Sequence, residues 1–195
     1  MDFLAAEDYI IAKLKKELPQ NLFYHSYGHV MDVLEASMMY ADMEAVQDDE
    51  RVLLKTAVLF HDSGFVVQSK NHEEIGCGIV REILPGFGFS EEQITRICGM
   101  IMATKIPQSP SNHLEQIICD ADLDYLGRED FWEIGSNLFR ELRAFGFLLD
   151  EQEWNRIQLK FLEEHKFFTP SAVSLRQQKK DEHTGRIREL VKSYN

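Results

Sequence analysis

The chain has 195 residues, 44% of them hydrophobic and 28% charged, with a formal net charge of -12, which is room for one well-buried domain with at most a helical extension. No stretch offers the roughly eighteen uninterrupted apolar residues of a membrane span, and a surface with a pI near 5.0 repels the phosphate backbone of polymeric nucleic acid. A small anionic ligand stays within reach if a metal and a few local cations offset the field. The acidic start, Met1 to Asp8, lacks the basic and apolar pattern of a secretory leader, so a cytoplasmic location is expected.

From residue 3 to 18, Leu4, Ile10, Ile11, Leu14 and Leu18 recur at helical spacing and Pro19 closes the run, which predicts a helix lying as a lid on the core. The stretch Asn21 to His29 is aromatic and turn-like and carries His25 and His29. A helical stripe follows (Val30, Val33, Leu34, Met38, Ala41), which puts His29 in the first turn, in line with Val33 and able to look inward. The acidic run Gln47 to Glu50 starts a central helix with Asp48 or Asp49 as its cap. Its apolar segment, Thr56 to Phe60, stops at His61-Asp62, two residues before Gly64, which can end a helix.

Two polar groups at the inner end of a buried helix need partners, because an unpaired imidazole or carboxylate in a dry setting costs roughly several kcal/mol. A cation, a charged neighbour or a bound metal would answer. Histidine nitrogen with aspartate oxygen is a usual donor set for a catalytic divalent ion.

Asn71 is placed to cap a helix with the stripe Ile75, Ile79 and Ile83, whose first turn holds His72 and Glu73. Leu84 to Phe89 breaks it, and Ser90-Glu91-Glu92-Gln93 is a capping-box signature opening a helix with Ile94, Ile97, Cys98 and Ile101 inside. Thr104 to Asn112, which includes Lys105, predicts a long loop of the kind that borders sites. The next helix runs through Ile118 into Asp120-Ala121-Asp122-Leu123-Asp124. A spacing of two puts Asp120 and Asp122 on different faces, so only one points with Ile118. Taken alone, these acids read as a solvated face. Three more helices are predicted: Phe131 to Phe145, one after Asp150 with an Asp-x-x-Glu box, and one after Thr169-Pro170. Nothing reads as a strand, which makes the fold all-α with eight or nine helices. His113, His165 and His183 lie among charged or polar residues and read as hydrogen-bonded or surface groups. Cys77, Cys98 and Cys119 form no close pair in sequence and read as packed, reduced thiols.

The order His29, His61-Asp62, Asp122, each at the end of an apolar helix, resembles the HD superfamily of metal-dependent phosphohydrolases. The matching stretches are Tyr24-His25-Ser26-Tyr27-Gly28-His29, Leu59-Phe60-His61-Asp62-Ser63-Gly64 and Cys119-Asp120-Ala121-Asp122-Leu123, where the Ala-Asp pair selects Asp122 over Asp120. The resemblance covers about residues 20 to 165. It implies a single HD domain over 1–195, a helical bundle with 166–195 as a C-terminal helical extension. It also implies one tightly bound divalent metal on His29, His61, Asp62 and Asp122. Two-metal relatives carry further histidines, whereas this chain offers His72 and has none around Met102 to Lys105.

The implied activity is cleavage of a phosphoester or pyrophosphate bond of a small molecule, with a nucleotide favoured, by metal-activated water. Asp62 would steer or deprotonate that water, with Glu73 as a second base. His25, His72, Lys105 and Arg128 are the candidates for binding phosphate, and Tyr24, Tyr27 and Phe65 for stacking on a base. Mixed nitrogen and oxygen donors suit Mn, Fe, Co, Ni or Zn better than Mg. The alternatives are a non-catalytic nucleotide-sensing module and, further off, a dinuclear-iron oxygenase. Monomer and homodimer both stay open.

Overall fold

In the computed structural model, which describes residues 1–147 and 150–194, the regular elements are all helical. Among the described residues there are nine α-helices: α1 (Phe3–Glu17), α2 (Tyr27–Met43), α3 (Asp48–Phe60), α4 (His72–Ile83), α5 (Glu91–Ala103), α6 (His113–Asp122), α7 (Phe131–Ala144), α8 (Glu151–Glu164) and α9 (Pro170–Lys192). Short 3-10 turns cover Ser63–Val66, Leu84–Phe87 and Asp124–Gly127. The all-α expectation holds. No helix of the described residues is long and apolar enough to cross a membrane.

α3 is the axis of the bundle. Its Leu54, Ala57, Val58 and Phe60 are fully buried, and α1, α2, α4, α5 and α6 all pack against it. The apolar run that made this helix conspicuous is buried because neighbours cover it on every side. The expected cap is corrected: Gln47 occupies that position without a side-chain bond, and Asp48, Asp49 and Glu50 fall inside the first turn, where their charge faces the positive end of the helix. Asn71 likewise precedes α4 in a left-handed conformation, φ 57°, and its side chain caps nothing. In α1 the buried stripe is Ala6, Ile10 and Leu14, while Leu4 is 69% exposed. Ser90 and Gln93 do form the reciprocal capping box, Asp150 accepts the Glu153 N–H, and Thr169 caps α9 ahead of Pro170.

Gly64 works differently from a helix stop. α3 has already ended at Phe60, and Gly64 lies in the following 3-10 turn. A Cβ there would stand 2.0 Å from the His72 carbonyl oxygen. The missing side chain therefore lets the start of α4, with His72 and Glu73, close onto the His61-Asp62 corner.

The acids after Ile118 are not a solvated face. Asp120, fully buried, accepts hydrogen bonds from the Phe168 and Thr169 N–H groups and the Thr169 hydroxyl. Burial lifts its pKa to about 6 against those donors. Asp124 is bound by Arg176 at 2.7 Å and by the Tyr40 hydroxyl. Between them these acids fasten α9 to the end of α6, and Ala172 and Ile187 of α9 join the core that begins at Ala6. The three cysteines are free and buried. Cys77 and Cys98 face each other across α4 and α5, each thiol against the other's carbonyl, at 3.5 and 3.8 Å.

Candidate metal centre

Three helix ends bring the donors together. α2 opens with Ser26 capping the His29 N–H, so His29 leaves the first turn pointing inward, its side chain 7% exposed. α3 delivers His61 and Asp62 at its C-terminal corner, 1% and 3% exposed. α6 ends on Asp122. His29 Nε2 lies 3.0 Å from Asp122 Oδ1 and 3.6 Å from Asp62 Oδ2, and His61 Nε2 lies 3.3 Å from Asp62 Oδ2 and 3.6 Å from Asp122 Oδ1.

These residues fit a divalent ion. Donor atoms of His29, His61 and Asp122 all fall within 4.8 Å of one another, and adjacent donors around an ion with bonds of ~2.1 Å lie about 3 Å apart. His61 Nδ1 is 2.7 Å from the Val58 carbonyl. A carbonyl only accepts, so Nδ1 carries the proton and Nε2 presents its lone pair, the usual outer-shell arrangement for a ligating imidazole. That Nε2 and Asp62 Oδ2 are buried without a hydrogen-bond partner among the described residues. Without an ion, burial disfavours charge on His61, yet Asp62 and Asp122 outweigh it and hold its pKa well above the ordinary value, so the carboxylates draw a proton to this point, which a metal ion would displace on binding. Burial also opposes ionisation of Asp62 and Asp122, and the surrounding imidazoles overcome it, lowering both. The buried Asp62 and partly buried Asp122 carboxylates call for positive charge.

Above the donors opens a cavity of about 380 Å³, lined by Asp62 and Asp122 and also by His25, His72 and Glu73. His72 Nε2 stands 3.5 Å from both Asp62 Oδ1 and Glu73 Oε1, its ring turned by the Nδ1 bond to the Ser69 carbonyl at 3.1 Å. Phe65 packs against both the His25 and His72 rings, with centroids at 4.3 and 4.2 Å, and the two imidazoles themselves lie 6.0 Å apart.

His25 is anchored by a residue that no sequence pattern singled out. Glu141 of α7 accepts the N–H groups of Tyr24 and His25 at 2.8 and 3.1 Å, and its other oxygen meets His25 Nδ1. Burial works against charge on His25, but the Glu141 hydrogen bond and the Asp62 charge prevail and raise its pKa. Tyr24 also lines the cavity. Two of the expected phosphate ligands are placed elsewhere. Lys105 pairs with Glu74 at the surface, the nearest acid to a side chain at the mouth of its loop. Arg128 is held by Asp32, Asp124 and Asp130 and borders a separate groove with His29 and Asn137.

The fold is shared with solved structures. It superposes on Bacillus subtilis YpgQ in complex with ADP with a TM-score of 0.67, 20% identity and coverage of 99% of this chain and 97% of that one. A protein described as a predicted HD superfamily hydrolase, from an uncultured Thermotogales bacterium, gives 0.62, 16%, 96% and 92%. A Lactobacillus plantarum protein gives 0.69, 15%, 98% and 97%. No curated protein matches the chain by sequence. The HD domain model matches residues 26–124, a span that holds His29, His61, Asp62 and Asp122; with the donors converged at its centre, the chain belongs to the HD-domain family.

Proposed function

We propose that this protein is a metal-dependent phosphohydrolase that cleaves a phosphoester or pyrophosphate bond of a small molecule, a nucleotide being the favoured substrate. The observation that carries this reading is the convergence of His29, His61, Asp62 and Asp122 on the floor of a cavity that has room for an organic group. The ADP bound to YpgQ and the hydrolase description of the Thermotogales protein support it.

His29, His61, Asp62 and Asp122 would hold a single divalent ion, Mn, Fe, Co, Ni or Zn before Mg, which would supply positive charge for phosphoryl oxygens and acidify a water. Asp62 has one carboxylate oxygen, Oδ1, turned toward His72 and the cavity, so it can orient the attacking water and take its proton. Glu73, 6% exposed on the same wall, is the second base. As the bond to phosphorus breaks, the leaving oxygen needs a proton. His25, held by Glu141 and with its pKa raised by that contact, is placed to give it, and His72 is a further candidate for contact with the substrate. Lys105 and Arg128, paired with carboxylates and outside the cavity lining, are given no contact with substrate in this reading.

The test is a hydrolysis screen of nucleotides, sugar phosphates and pyrophosphates with Mn, Co, Ni and Mg, paired with elemental analysis. Turnover that vanishes in His61→Ala and Asp62→Ala, with helical circular dichroism retained, supports the hydrolase. Tight nucleotide binding without turnover across the metal series makes the protein a binding module instead, and two irons per chain would point to an oxygenase.

A further inference from the structure

Half of the cavity wall is unused by the chemistry above. α7 and α8 build it from Leu138, Leu142, Trp154, Ile157 and Phe161. One residue on this wall is out of character. Gln158 is 6% exposed and lines the cavity, yet among the described residues nothing hydrogen-bonds its amide. An amide largely enclosed by its neighbours yet unpaired within the chain, and open to a ligand cavity, is available to a partner from outside the chain. α7 has made room for it, since a Cβ at Gly135 would lie 3.0 Å from Gln158 Nε2. Gly135 lines a second pocket with Trp132 and Leu190, so the Gln158 amide sits where that pocket and the metal-side cavity adjoin.

We propose that Gln158 is a specificity-determining residue that hydrogen-bonds the edge of a neutral planar heterocycle, a nucleobase, seated between α7 and α8. An amide donates and accepts at once, which suits an edge carrying both functions, and this pairing of glutamine with a base edge is a familiar mode of readout. Trp154 and Phe161 offer aromatic surface for the ring. The α7 and α8 residues lining this wall carry no charge, so a charged group would find nothing there to neutralise it. The assignment rests on the hydrolase reading only for which end of the ligand faces His25 and the metal-site residues.

Wild type and Gln158→Leu, both metal-loaded, are compared by calorimetry and by steady-state hydrolysis on ADP, GDP, CDP and UDP, with inorganic pyrophosphate as the probe without a base. Wild type should prefer one or two bases, and Q158L should flatten that preference roughly 10–100-fold, through Kd and KM rather than kcat. Gln158→Glu, which only accepts, should reorder the preference, and it carries the test if Q158L melts poorly. Equal base discrimination in wild type and variants overturns the assignment while leaving the hydrolase standing. Absence of turnover by wild type on every phosphorylated compound sinks the hydrolase instead, and the calorimetric preference among the four bases then decides Gln158 by itself.

Discussion

Gly64→Ala gives the most direct test of how the site corner is assembled. The new Cβ would sit 2.0 Å from the His72 carbonyl oxygen and 2.7 Å from its carbonyl carbon and Cα, more than about 1 Å short of ordinary contact. All three atoms are backbone, so no side-chain rotation relieves the clash, and the His61-Asp62 corner must separate from α4. Overpacking a core typically costs about 1–3 kcal/mol, and backbone on both sides places this case at or beyond ~3 kcal/mol. For a chain of this size that lowers Tm by about 6–12 °C. Gly78→Ala is the control: it lies on the exposed face of the same helix with no atom within 4 Å, and alanine in a helix interior gains about 0.5–1 kcal/mol over glycine. Thermal scans by circular dichroism should therefore move the two variants in opposite directions. A Gly64→Ala protein that melts with wild type refutes the close-approach argument.

Adding a binding divalent ion at a hundredfold excess over Kd should stabilise the fold by about 2.7 kcal/mol, seen as a Tm rise that EDTA reverses; in His29→Ala or Asp122→Asn the rise should shrink to near zero, and an undiminished rise would place the ion elsewhere. Glu141→Gln should cost about 1–2 kcal/mol near neutral pH. His25 is raised above 6.5 and Glu141 lowered below 4.5, so the pair contributes fully between those values. Its contribution fades as pH rises through the folded His25 value and as it falls through that of Glu141. Urea titrations of wild type and variant should differ most at pH 5 to 6; a difference that grows toward pH 9 contradicts the pairing. Finally, Cys77, Cys98 and Cys119 are buried, and burial raises the Cys119 thiol, so a thiol reagent should titrate none of them in the native protein and all three in denaturant.

The parts of this molecule that sequence made visible are those governed by local periodicity and by helix ends. The α3 run from Thr56 to Phe60 announces a buried helix, and polar His61 and Asp62 at its end announce a need for partners. The C-terminal helices follow from Asp150 and Thr169-Pro170 for the same reason, because caps and proline act within one turn. What stayed hidden depends on residues far apart in the chain. Glu141 lies 116 residues from the histidine it holds, and no spacing rule links α7 to the start of α2. Asp120 and Asp124 look like surface acids until α9 arrives to bury them. Lys105, from its place at the opening of a loop, and Arg128 were expected at phosphate, and the pairing of both cations with carboxylates distant in sequence or set by the fold was not legible. Gln47 and Asn71 show the limit of capping rules, since the cap position and a capping side chain are separate matters.

Three acids within five residues, Asp120, Asp122 and Asp124, divide their allegiance: the outer two grip the last helix through Thr169 and Arg176, and the middle one reaches the metal site. Trimming the C-terminus would thus release both flanks of a candidate metal donor, and a deletion remote from the cavity would behave as a lesion of the candidate site.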